Sequence, residues 1–117
     1  MPVDMGRAEF ERLVGEALDS IPDEIARLIR NVAVIVEDDA PPDDPDLLGL
    51  YDGIALTERY GEPSVHLPDQ IFVFRNPLLD FCDDVDQLAD EVRITVVHEV
   101  AHHFGIDDAR LDELGYA

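Results

Sequence analysis

The sequence predicts an α+β fold: a small mixed, mostly antiparallel sheet packed against a long helix, in a single domain over residues 1–117. Three observations predict it. Apolar residues recur with the 3.6-residue helical period at both ends of the chain. Between them lie the β-branched or aromatic runs Val32-Ala33-Val34-Ile35-Val36 and Ile71-Phe72-Val73-Phe74. A chain of 117 residues also has room for one core, burying somewhat under about 70% of its unfolded surface.

Phe10, Leu13, Val14, Ala17 and Leu18 place a first helix near residues 6–19. Ser20 is positioned to cap a second helix, with Pro22, Asp23 and Glu24 in its first turn and Ile25, Leu28 and Ile29 on its apolar face. A strand follows over Val32–Val36. The stretch from Glu37 to Asp46 holds three prolines and six acids, so it reads as an exposed loop without a regular hydrogen-bond ladder. Asp52-Gly53 sits among Leu48, Leu50, Tyr51, Ile54 and Leu56, a hairpin signal. Tyr60-Gly61-Glu62-Pro63 marks another turn, and Pro77 ends the strand begun at Ile71. From about Asp84 to Phe104 the pattern is helical again, with Gly105 as its stop, and a short helix is expected over Asp107–Leu114.

Charge and composition exclude several functions. Eight Arg, no Lys and 28 Asp or Glu give a formal net charge of −20. Such a surface repels phosphate backbones and anionic lipid headgroups, so neither nucleic acid nor membrane is an expected partner. No run approaches the ~20 apolar residues of a membrane-spanning helix, and Met1–Arg12 lacks the form of a signal peptide. The cytoplasm is the expected location. The single cysteine, Cys82, agrees, since it has no partner for an intramolecular disulfide.

One segment carries chemistry: Thr95-Val96-Val97-His98-Glu99-Val100-Ala101-His102-His103-Phe104-Gly105-Ile106-Asp107-Asp108. On a helix, residues four apart lie about 40° apart around the axis and one turn along it. His98 and His102 therefore present two imidazoles to one metal ion, and Glu99 stands beside them as a base for a metal-held water. A catalytic zinc needs a third protein ligand and an open position. Gly105 lets the chain leave the helix and turn back, and Asp108, three residues on, is placed to complete the set. The His98, Glu99, His102, Gly105, Asp108 spacing arises by chance roughly once in 5,000 chains of this composition, which makes it far more specific than the short motif alone.

The remaining candidates read as structural. His103 projects about 100° from His102, toward the core or the outside of the metal shell. His66 lies in a Pro-flanked loop. Glu113 rivals Asp108 as third ligand, Asp107 and Asp112 suit helix capping or the surface, and Arg93 suits an ion pair. Cys82 has no neighbouring cation to activate it. Tyr116 is an unfavoured donor to a developing oxyanion.

At these residues the sequence resembles the small bacterial zincin-like metallopeptidases. The likeness runs through the strand before Glu37 and the proline-rich loop, Leu48-Leu50-Tyr51-Asp52-Gly53, Ile71–Pro77, Arg93–Gly105 and Ile106–Leu111. The resemblance implies a minimal zincin fold and zinc held by His98, His102 and Asp108. The expected activity is peptide-bond hydrolysis on a peptide or protein substrate, with Glu99 as general base. The alternative is a non-catalytic zinc-binding or protein-interaction module.

Overall fold

The computed structural model describes residues 3–53 and 69–116. Its elements run α1 (Arg7–Asp19), α2 (Asp23–Ala26), β1 (Val32–Glu37), β2 (Gly49–Asp52), β3 (Asp69–Phe74), α3 (Arg75–Phe81), α4 (Val85–Phe104) and α5 (Asp108–Glu113). This is an α+β arrangement with a three-stranded mixed sheet, as the sequence predicts.

The strand order is β1-β3-β2, with β1 parallel and β2 antiparallel to β3. Among the described residues the sheet is mixed, and the mostly antiparallel character expected from the sequence is not seen there: the parallel ladder joins six residue pairs, the antiparallel one four. In β1 Val36 is buried and Val32–Ile35 are half-buried, and the apolar run pairs with β3 throughout. In β3, Ile71 and Val73 are wholly buried while Gln70 and Phe72 are half-buried, the period-2 alternation of a strand with one face on the core. The second strand of the Asp52-Gly53 hairpin would fall on residues 54–68, outside the described residues; among those described, Asp52 pairs with Gln70 and the partner of β2 is the distant β3. Ile54, Leu56, the Tyr60–Pro63 turn and His66 lie outside the described residues.

Local chemistry explains three further boundaries. The Ser20 hydroxyl donates to the Ala17 carbonyl (2.8 Å), closing α1 rather than capping α2, whose cap position is Pro22. Pro77 does not end a strand but sits in the first turn of α3, where helix N–H groups have no intrahelical partner and proline costs nothing. The acidic loop is built from turns, Asp44 N–H to Pro41 O (2.9 Å) and Leu47 N–H to Asp44 O (3.2 Å). Its start is fastened to α3, with Arg75 on Asp38 (2.9 Å) and Asn76 on Asp39 (2.8 Å).

The core gathers on α4, which contacts α1, α2, α3, β2 and β3. Leu88, Val92, Val96, Val97, Val100 and Ala101 of α4 are fully buried, with Phe10 from α1, Ile25 from α2, Leu78 from α3 and Leu111 from α5 in the same cluster. Where β2 crosses α4 there is no room for a side chain. A Cβ built on Gly49 would lie 2.5 Å from the Thr95 methyl and 3.0 Å from the Phe72 carbonyl oxygen. Glycine at this position lets the strand lie directly on the helix.

Candidate active site

Both ends of α4 are closed by their own sequence. Asp84 accepts a hydrogen bond from the Gln87 backbone N–H (2.7 Å) at the start. At the other end Gly105 turns left-handed (φ 72°), and the Ile106 N–H reaches back to the Ala101 carbonyl (2.9 Å). The helix is thus held in register, and the motif lies on its C-terminal half.

On that helix His98 and His102 lie side by side, ring centroids 6.4 Å apart. They share a groove of about 400 Å³ with Glu99 and Thr95, facing Asp44, Asp46 and Leu48 of the loop that leads into β2. His102 is exposed, whereas His98 and Glu99 are half-buried. Burial pushes the Glu99 carboxyl above its ordinary pKa, partly offset by the two neighbouring imidazoles. The structure thus brings three of the sequence-predicted site residues into one depression.

Asp108 stands apart. It is exposed in the first turn of α5, while Asp107 caps that helix by accepting from the Arg110 N–H (2.8 Å). Glu113 is held by Arg110 (2.6 Å), which also clasps Glu24 of α2. Among the described residues no group of three His, Cys, Asp or Glu side chains is placed to hold a metal ion. The donors His98 and His102 nonetheless suit zinc in kind and in spacing, two imidazoles one turn apart with a carboxyl beside them.

Sequence reasoning missed a backbone group. The Tyr116 carbonyl lies 2.5 Å from His98 Nε2, so in this arrangement Nε2 carries the proton and donates it. A turn after α5 delivers that carbonyl: Gly115 is left-handed (φ 87°) and the Tyr116 N–H donates to Leu111 O (2.8 Å). Only Gly115 hints at such a turn, and a main-chain acceptor leaves no mark in a sequence. The place of Asp44 and Asp46 on the groove is equally hidden, because it follows from the pairing of β2 with β3.

The other candidates fall into structural roles. His103 is exposed rather than part of the core. It stacks on Tyr51 of β2 (centroids 3.9 Å), whose hydroxyl donates to Asp69 (2.7 Å). Arg93 pairs with Asp90 and reaches the Ser20 hydroxyl (3.3 Å). Cys82 is fully buried, and burial with nearby acids pushes its thiol up to about 11.

A family model described as zincin-like metallopeptidase matches residues 29–116. Among solved structures, a conserved hypothetical protein from Thermo thermophilus is similar, with TM-score 0.53 and 22% identity, covering 86% of this chain and 95% of that one. At that identity the likeness is one of fold. No curated protein matches the sequence.

Proposed function

Because the chain belongs to the zincin-like metallopeptidase family, we propose that it is a zinc-dependent hydrolase of peptide bonds in which Glu99 is the general base. One observation carries this reading: Glu99 shares the groove with both motif imidazoles and is itself partly withdrawn from water. His98 and His102 would hold the zinc, with Asp108 proposed as third ligand from its place just past the Gly105 bend. When bound, zinc supplies Lewis acidity toward the substrate carbonyl and lowers the pKa of attacking water.

The chain's own residues do the rest. The Glu99 carboxylate accepts the proton of the attacking water and returns it to the leaving amine. A carboxyl whose pKa is raised toward the working pH is better suited to the second transfer than an ordinary one. The substrate is a peptide or protein segment, which adds as an extended strand along β2. Among the described residues β2 pairs with β3 alone, and its Gly49 end opens on the groove. No described helix is long and apolar enough to cross a membrane.

The test is zinc content and peptide-library hydrolysis for wild type and Glu99→Gln. We expect equal zinc in both and a loss of at least about 100-fold in turnover for the variant. Full activity in Glu99→Gln overturns the assignment.

A second reading, a non-catalytic zinc module, is favoured by the bond between His98 Nε2 and the Tyr116 carbonyl, because that nitrogen must exchange its acceptor before it can bind a metal. Zinc uptake without hydrolysis of any peptide in the library would support it.

A further inference from the structure

A second depression, of about 490 Å³, lies on the other flank of the loop that borders the histidine groove. Its floor is apolar: Pro45 and Leu48 from the loop, Pro77 and Phe81 from α3. Phe81 is the most exposed large apolar side chain among the described residues, at 55%. Two further lining residues, Asp46 and Asp80, are exposed carboxylates, and among the described residues neither has an ion pair. No arginine is among the described residues lining the depression. Asp46 and Leu48 belong to both depressions, so the two adjoin along the loop.

We propose that this depression anchors the substrate beside the reacting groove and selects segments in which an Arg or Lys neighbours a bulky apolar residue. The inference rests on the reading of the histidine groove as a peptide site. The apolar residue covers Phe81 and Leu48, removing exposed hydrocarbon from water. The cation takes Asp46 and Asp80, which have no ion-pair partner among the described residues, and a net charge of −20 adds long-range attraction. Acidic segments are repelled by the same carboxylates. A neutral polar segment uses neither the floor nor the rim.

The test measures binding of labelled peptides to zinc-loaded Glu99→Gln protein by fluorescence anisotropy. The peptides are identical except for an Arg-Leu, Gln-Leu or Glu-Leu pair. The Arg-Leu peptide is expected to bind about five- to tenfold tighter than the Gln-Leu peptide, the worth of one or two exposed ion pairs, with the gap closing at high salt. Asp80 lines only the second depression. Adding Asp80→Asn is therefore expected to weaken Arg-Leu binding several-fold while leaving Gln-Leu binding unchanged. Adding Phe81→Ala weakens both. Both side chains are exposed, and matched thermal melts verify folding. Equal affinity for the three peptides, or an Arg-Leu affinity untouched by Asp80→Asn and Phe81→Ala, overturns the proposal. If wild type hydrolyses peptides without this preference, the subsite fails and the hydrolase reading stands. If Asp80-dependent Arg-Leu binding is found in a protein that hydrolyses nothing, the subsite stands and the hydrolase reading fails.

Discussion

Gly49 is where the sheet meets α4, and Gly49→Ala tests how that meeting is made. The added methyl would sit 2.5 Å from the Thr95 Cγ2 atom and 3.0 Å from the Phe72 carbonyl oxygen. An ordinary carbon contact needs about 3.5–4.0 Å. The side-chain clash must be relieved by about 1 Å or more, yet Thr95 is buried and β-branched, with few alternative rotamers. Overpacking of this kind costs about 1–3 kcal/mol. With an m value of about 1.5 kcal/mol/M, a cost of about 2 kcal/mol lowers the urea midpoint by about 1 M. Thr95→Ser deletes the obstructing methyl and by itself costs about 1 kcal/mol. In that background Gly49→Ala is expected to cost about 1 kcal/mol less than in wild type, with a remainder due to the Phe72 carbonyl. Urea unfolding of the four proteins measures the cycle. A Gly49→Ala cost below about 0.5 kcal/mol, or the same cost in both backgrounds, refutes the close-approach argument.

Three further outcomes are expected. Gly105→Ala meets no atom within 4 Å but must hold φ near +72°, so chemical denaturation should show a loss of about 1 kcal/mol from backbone strain alone. In metal-free protein, burial raises the Glu99 pKa above its unfolded value. That group's stabilising contribution is complete below the unfolded pKa and is lost as pH rises through the folded one. Glu99→Gln has no such loss, so its stability should gain on wild type as pH rises above the ordinary glutamate pKa of about 4.3, and a difference independent of pH contradicts this. Cys82, fully buried with its thiol raised to about 11, should resist a thiol reagent at about pH 8 in the native protein and react fully in denaturant, a contrast read directly by absorbance.

What the sequence discloses follows the range of the forces involved. The limits of α4 are legible because Asp84 and Gly105 are local signals that act within one turn. The side-by-side placement of His98, Glu99 and His102 is a property of helix geometry alone. α3 is not legible, because Pro77 looks the same in a first helical turn as at a strand end, and only tertiary packing of Leu78 and Leu79 decides between them. The partner of β2 is hidden for the same reason: its pairing with β3 joins residues 18 or more positions apart. Spacing from Gly105 brings Asp108 toward the site, whereas its final position also depends on the start of α5, where it is exposed in the first turn. The helical angle of His103 points inside or behind the pair, and Tyr51, brought in by the sheet, gives it a stacking partner instead.

The packing of α1 and α2 has an architectural consequence. The family match begins at residue 29, so both helices precede it, yet α1 lies against α4 and Glu24 of α2 clasps Arg110 of α5. Phe10, Val14, Ala17 and Ile25 therefore serve as an outer buttress for the very helix that bears His98 and Glu99. A chain trimmed to the matched stretch would keep every motif residue but lay one apolar flank of that helix open to water, and it would free α5, with the Tyr116 carbonyl behind it, from its tether.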